Sequence, residues 1–516
     1  MRMTGALRCV SQQERLADPT PETRRPHKTD SDKYSRLVEW LVEGGARFPK
    51  LLLEEYSLGH RGIHVAAGTR IQEGEEVLEI PLRFLITAKA AMDSAIGVEI
   101  ANSSFKPVSC YPFIACFILQ EKLFNYETSF WRPWLDVIPS MEECAVTLPV
   151  CFSEEDLEFL KGTEAYRLAV QRRKRNLKEF EELCEAVETV RKHFSYEQYV
   201  WARCITTTRS YGVLIGDTFT SVIVPFGDMF NHTCERETRW SFDNSSQTFV
   251  ISALKDFESL DPVHVYYGNK NNGRFMAHYG FCIPDNEKIS ISLHDEVVLH
   301  LASNVSFNSL LIPLRSRALC RNKVLKQKIL AHRRSFEDRE DALKGNRRSF
   351  LSRRLVLKGT SKNPYFSEEA EGCRCQSSFP QLCKNCTSEN LAELAVGLNI
   401  LNEAEALVML RSICDEQLAM YATTMDQDME MFQAFQEDSA VNPRLELIKR
   451  CVLTRINEKK IFHDIIRFVG TVLPLFSVAA AQSDWTDVVE RLPRSYQVYV
   501  SEILTNLLIR EESICS

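Results

Sequence analysis

Apolar residues recur along this chain with two different periods, and the switches between them divide it into segments. The run YSRLVEWLVEGGARFP, from Tyr34, places Leu37, Val38 and Leu41 at helical spacing and stops at Gly44-Gly45, which predicts an amphipathic helix with a glycine stop. From Leu58 to Thr87 the texture changes. GIHVAAGTRIQEGEEVLEIPLRFLIT carries short alternating apolar segments punctuated by Gly68, Gly74 and Pro81, the pattern of small strands joined by tight turns. Residues 110–205 return to the helical period. FIACFILQEKLF reads as an apolar helix, and FSEEDLEFLKG opens on Ser153 as N-cap with Asp156 at the capping-box acid position. AYRLAVQRRKRNLKEFEELCEAVETVRKHF continues with helical periodicity and many charges. Strand texture resumes from Ser221 to about Leu293 through SVIVPF, TFVISAL and VHVYYG. The pattern predicts one β domain split by a helical insertion at about 88–205. After Leu293 the strand signals fade, and residues 388–516 read as amphipathic helices such as NPRLELIKRCVLTRINEKKIFHDIIRFV. The fold class is α+β, with a separate all-α domain at the C-terminal end.

Composition narrows the function classes. At 516 residues the chain exceeds what one core usually organises, so two or three domains are expected. Hydrophobic residues make up 44% and charged residues 26%, ordinary for a soluble globular protein. A net charge of −7 gives no global attraction to nucleic acid or to an anionic membrane. No apolar run is long enough to span a bilayer, since Phe468–Ala481 is short and interrupted by Pro474. Residues 1–33 are polar, with Pro19, Pro21 and Pro26, and lack the apolar stretch of a secretory signal; they read as a disordered lead-in. With 17 cysteines and no such signal, free thiols in a reducing compartment follow, hence cytoplasm or nucleus. Residues 294–387 read as a linker. Its stretch 321–360 is rich in Lys and Arg, either a solvated helix and loop or a docking patch for an acidic partner. A nucleic-acid reading of that stretch predicts strongly salt-dependent affinity and is not favoured.

Four segments carry candidate chemistry. VPFGDMFNHTCE follows a β run and brings Asp228, Asn231 and His232 together behind Pro225 and Gly227; amide and imidazole groups offer donors and acceptors in several directions. VHVYYGNKNNGRFMAHYGF ends a strand in Tyr266-Tyr267-Gly268, then runs through an Asn-rich turn and a helix to Tyr279-Gly280-Phe281. In GHRGIHV, Gly59 and Gly62 let backbone approach a ligand closely. In WARCITTTRSYGV, Arg209 ends a helical run. Each alone also reads as an ordinary turn, core aromatic or surface arginine.

Their order around a helical insertion resembles the SET-domain protein methyltransferases, in the branch of the Rubisco large-subunit lysine methyltransferase and the actin-histidine methyltransferase. The resemblance covers roughly residues 34–293, and the tail RLELIKRCVLTRINEKKIF resembles that branch's helical substrate-binding domain. It implies small curled sheets whose late segment threads beneath an earlier one, bringing Asn231-His232 beside Tyr267 across 35 residues. It also implies S-adenosylmethionine as cofactor. The backbone of Arg61, Gly62 and Ile63 would cradle the cofactor's amino-acid end, and Arg209 would pair with its carboxylate. Asn231 and His232 would hold the methionine and adenosine portions, with Phe281 against the adenine. Tyr267 would be the central catalytic residue, Tyr279 and Tyr211 would line the acceptor channel, and Asp228 would position substrate or cap its loop.

Methyl transfer from a sulphonium is an in-line displacement that needs a neutral nucleophile and no metal. A lysine amine, with an ordinary pKa near 10.4, must first lose its proton, and an apolar channel beside a positive sulphonium favours the neutral amine. In the resemblance, actin-histidine members carry a small amide two places after the motif arginine and a tryptophan before the motif aspartate. Here Tyr211 and Gly227 stand at those places, which favours a protein lysine as acceptor over a histidine. An inactive SET-like module that only binds a protein is the alternative from another class, and the intact Arg209, Asn231, His232 and Tyr267 argue against it. Finally, CRCQSSFPQLCKNC sets Cys373, Cys375, Cys383 and Cys386 at a spacing that can enclose a structural tetrahedral zinc; the alternative is a cysteine-rich loop.

Overall fold

The structure is a computed structural model. It describes residues 31–57, 60–283, 286, 289–293, 297–301, 400–437, 442–479, 492, 496 and 497. The chain divides into two compact units: residues 1–144 with 178–268, and residues 145–177 with 269–516.

In chain order the elements begin with α1 (Ser31–Glu43), β1 (Leu51–Ser57), β2 (His60–Val65), β3 (Glu76–Pro81) and β4 (Ile86–Thr87). The helical stretch follows: α2 (Ala88–Asp93), α3 (Ala95–Asn102), α4 (Tyr111–Leu123), α5 (Arg132–Leu135), α6 (Met141–Thr147), α7 (Glu154–Glu158), α8 (Glu164–Ala186), α9 (Glu188–His193) and α10 (Tyr196–Arg209). Strands resume with β5 (Ser210–Ile215), β6 (Thr218–Ile223), β7 (Asn231–His232), β8 (Thr238–Asp243), β9 (Thr248–Ala253) and β10 (Pro262–Val265). Next come α11 (Asn272–Tyr279), β11 (Ile289–Leu293) and β12 (Val297–Leu301), and then α12 (Ile400–Ala419), α13 (Met425–Glu437) and α14 (Pro443–Ala479).

The first unit holds three small sheets with strand orders β1-β2-β10-β7, β3-β9-β8 and β4-β6-β5. Within the first, β10 pairs antiparallel with β2 and parallel with β7, setting His264 opposite Asn231 and Val265 opposite His232. Strand pairing begins at Leu51, seven residues before the alternating pattern does, and β12 extends it past Leu293. LLLEEYS opens on three adjacent leucines and VVLHL on three adjacent apolar residues instead of alternating, so a period-2 reading passes over them.

The helices follow their sequences closely. In α1, Leu37 and Leu41 are fully buried, and the chain turns at Gly45 with φ +86°, a conformation that glycine adopts without a Cβ clash. From Pro112 to Glu121 every residue of α4 is buried, as an all-round apolar helix requires. Its Gln120 accepts from the Ile96 amide at 2.8 Å, and its Glu121 accepts from Asn125 and Ser129. Opposite α4, α10 starts on a capping box in which Ser195 and Gln198 bond each other's backbone amides. Ser153 caps α7, accepting from the Asp156 amide at 3.0 Å, as its sequence indicates.

In the second unit, α7, α11, α14 and the first turns of α8 share one core containing Phe152, Leu160, Ala165, Met276, Leu447 and Cys451. Arg450 on α14 donates to the Gly280 and Val146 carbonyls, and Asp428 on α13 receives Arg455 and Lys459 at 2.7 and 2.6 Å. Burial works against the Asp428 carboxylate, yet those two cations hold its pKa below the usual range. A cavity of about 990 Å³ between α13 and α14, lined in part by Met425, Phe432 and Ile456, shares no residue with the Asn231–Tyr267 constellation. None of the described helices is long and apolar enough to cross a membrane.

Candidate active site

The short strand β7 emerges from a constrained turn. Phe226, fully buried, has φ +68°, a left-handed conformation that costs a non-glycine residue roughly 1–2 kcal/mol. It is held there by the Phe48 ring, stacked at 4.2 Å. Gly227 begins the 3₁₀ turn that ends at Met229, and it has no space for a side chain, because a Cβ would lie 2.9 Å from Val224 Cγ1.

From this turn the chain presents Asn231, which is exposed, and His232, which is half-buried. Asn231 Nδ2 donates to the Arg61 carbonyl at 2.8 Å, tying β7 to the strand that carries Gly62 and Ile63. His232 Nδ1 accepts from the Tyr267 amide at 3.0 Å, and the two rings stack at 5.2 Å. That bond fixes the tautomer: a nitrogen that accepts from N–H carries no proton, so a neutral ring has its proton on Nε2. Tyr267 Oη in turn donates to the Phe230 carbonyl at 2.6 Å. The Asn-His pair and Tyr267 are therefore brought together through the parallel pairing of β7 with β10.

Tyr211 is buried and donates to the Gly227 carbonyl at 2.5 Å, with its ring edge-on to Trp240 and Phe249. Burial first, and then the proximity of Tyr267 and Asp228, push its pKa well above the usual phenol value, so it is a neutral donor throughout the physiological range.

Two side chains expected to meet a ligand also have partners within the chain. The Arg209 guanidinium, assigned by resemblance to a cofactor carboxylate, meets Asp228: Nη1 lies 2.9 Å from Oδ2 and 3.1 Å from the Asp228 carbonyl. Asp228, assigned to substrate positioning, has a completely buried carboxylate, whose Oδ2 also accepts from Trp134 Nε1 at 3.0 Å. An ionised carboxylate at that depth needs a charged and hydrogen-bonded partner, and Arg209 is that partner. Sequence reasoning passed over Trp134; the available signal was a tryptophan whose N–H needs an acceptor once the ring is buried. Arg61, whose backbone was expected to cradle a ligand, also anchors its own side chain, with Nη1 on the Val137 carbonyl and Nη2 3.7 Å from Glu143.

Tyr279 and Phe281 belong to the second unit, where Phe281 stacks on Phe275 at 5.0 Å and the Lys270 ammonium lies 5.6 Å from the Tyr279 ring. Gly59 and the four cysteines Cys373, Cys375, Cys383 and Cys386 lie outside the described residues. Among the described residues no cluster of His, Cys, Asp or Glu could hold a metal ion.

Two family models match the chain. Residues 62–268 match the SET domain model, and residues 332–462 match the Rubisco LSMT substrate-binding model. The chain carries a SET domain followed by a Rubisco LSMT substrate-binding domain. This SET-domain protein is 24% identical over 339 residues to the actin-histidine N-methyltransferase of Xenopus tropicalis, covering 61% of this chain and 55% of that relative. To the Mus musculus enzyme of the same name it is 25% identical over 300 residues, covering 56% and 48%. The chain thus spans about half the length of the curated relatives it matches. Among solved structures, the SET domain of LSMT bound to lysine and AdoHcy superposes with a TM-score of 0.57 at 17% identity, over 90% of this chain and 99% of that one. Rubisco LSMT bound to AdoMet gives 0.55 at 18%, over 89% and 99%. The SET fold, with a helical C-terminal region, is therefore the architecture of this protein.

Proposed function

We propose that this SET-domain protein is an S-adenosylmethionine-dependent protein-lysine N-methyltransferase. The observation that carries the reading is the joint of β7 and β10, where the Tyr267 amide bonds His232 and the Tyr267 hydroxyl bonds the Phe230 carbonyl. The residues suit the cofactor: an exposed amide at Asn231, a backbone strand at Arg61–Ile63 tied to it, and main-chain carbonyls at Phe230 and Gly227. When bound, the cofactor supplies an electrophilic methyl group on sulfur. Asn231, His232 and the β2 backbone hold it. Tyr267, whose proton is directed to Phe230, can still accept a hydrogen bond from an acceptor N–H and so orient the nitrogen lone pair. Fixed carbonyl and hydroxyl dipoles of this kind favour the charge arrangement of the transition state without reorganising.

The choice of lysine rests on Tyr211 and Gly227. A neutral buried phenol against a packed glycine makes an uncharged wall suited to an aliphatic chain, and Val224 occupies the space where a larger residue at position 227 would start. Histidine is the second reading, favoured by the names of the relatives. The substrate would be a protein in the cytoplasm or nucleus, in keeping with the cysteine usage.

Calorimetric titration with S-adenosylmethionine tests the reading. Micromolar binding is expected, weakened about tenfold or more by Asn231→Ala or His232→Ala, as for loss of a polar ligand contact. Absence of binding by the folded wild-type protein contradicts it.

A further inference from the structure

Asp228 is the junction on which the turn before β7 hangs. Its carboxylate is completely buried, and Oδ2 receives two donors from separate parts of the first unit: Arg209 at the end of α10, and Trp134 within α5. Among the described residues Oδ1 has no hydrogen-bond partner, so their anchoring of the carboxylate passes through Oδ2. The Asp228 amide closes the turn onto the Val224 carbonyl at 2.8 Å, three residues before Asn231. The turn needs such anchoring, because Phe226 is held at φ +68° and relaxes toward ordinary backbone if the turn is released.

We propose that Trp134 is a positioning residue for the Asn231–His232 strand, acting through Asp228. The indole N–H and the Arg209 guanidinium approach one carboxylate oxygen from two elements, and so fix the carboxylate in orientation as well as place. The Trp134 ring is itself fully buried, so the donor cannot swing away to water. Among the described residues, loss of this N–H leaves the carboxylate with the Arg209 side chain as its one remaining side-chain donor. The loss passes to Met229 and Phe230, and from there to the Phe230 carbonyl that receives Tyr267.

The same short stretch supplies a matched control. Trp131, three residues earlier, also spends its indole N–H on a buried acceptor, the Phe84 carbonyl at 2.9 Å, but that acceptor belongs to a different turn. Trp134→Phe and Trp131→Phe remove the same kind of donor and keep an aromatic ring. Hydrogen–deuterium exchange of peptides spanning residues 227–233 and 264–268 reads the positioning directly, with no ligand required. Exchange there is expected to quicken about tenfold in Trp134→Phe and to stay at the wild-type rate in Trp131→Phe, as for loss of one bond to a buried charge. Asp228→Asn weakens the same junction from the acceptor side and is expected to quicken the same peptides. Unchanged exchange in Trp134→Phe, or equal quickening by Trp131→Phe, overturns the proposal.

A second readout rests on the cofactor reading above. The Kd for S-adenosylmethionine is expected to rise about tenfold in Trp134→Phe and to change less than about twofold in Trp131→Phe. Equal rises in both variants overturn the positioning role. If the wild-type protein binds no cofactor, the methyl-transfer reading fails, and the exchange comparison still decides the role of Trp134.

Discussion

Tyr267 donates its hydroxyl proton to Phe230 while its amide is held by His232, so both ends of the residue are fixed by the segment that carries Asn231. Removing the hydroxyl leaves the amide bond and the ring stacking intact. Tyr267→Phe is therefore expected to keep cofactor affinity within about threefold and to lower kcat on the order of 100-fold or more, the usual contribution of a positioned polar group at a reacting atom. Steady-state kinetics beside calorimetry checks this, and unchanged turnover removes Tyr267 from the central role. At this scale the sequence was partly legible. Asn231, His232 and Tyr267 stand in recognisable order, and the structure brings them together. The pairing of Asp228 with Arg209 and with Trp134 was not legible, because it depends on which side chains meet across 19 and 94 positions, and no local pattern encodes that.

Among the elements, α14 depends most on chemistry hidden from its pattern. Its Glu458 is buried, receives the Glu164 amide on both oxygens at 3.1 Å, and accepts from Tyr421 at 2.7 Å. Burial, together with the neighbouring Glu164 carboxylate, raises its pKa to about 8 from the usual 4.5. The folded protein thus keeps a proton that the unfolded chain releases near pH 4.5. The stability this group contributes is complete below that pH, falls as pH rises toward 8, and levels off above it. Glu458→Gln keeps the shape without the ionisation. The melting temperature of the variant relative to wild type is therefore expected to climb steadily from pH 5 to pH 8 and to stop climbing above. A difference that stays constant across this range, in melts followed by circular dichroism, contradicts the assignment. Helical periodicity revealed α14, as it did α1, while the Ser153 cap marked α7. It missed β1 and β12, where apolar residues run together instead of alternating. It also could not show that Glu458 is buried, since a glutamate among Asn457, Lys459 and Lys460 reads as a solvated face.

For the molecule as a whole, residues 62–268 match the SET model and residues 332–462 match the substrate-binding model. Along the same chain the period of apolar residues changes from helix to strand and back. The compact units cut the chain differently, with residues 145–177 grouped with the C-terminal part. That grouping arises from long-range packing of Phe152, Leu160 and Ala165 with Leu447 and Cys451, which a linear reading cannot display. The acceptor residue is set by the channel around Tyr211, Gly227 and Tyr267, which neither matched model spells out. The most direct test is to incubate the protein with isotopically labelled S-adenosylmethionine and a lysate from cells lacking it, then locate the label by mass spectrometry of the digested proteins. Labelled methyl groups on lysine side chains, absent with Tyr267→Phe, are the expected result; label on histidine, or no label at all, contradicts a lysine methyltransferase.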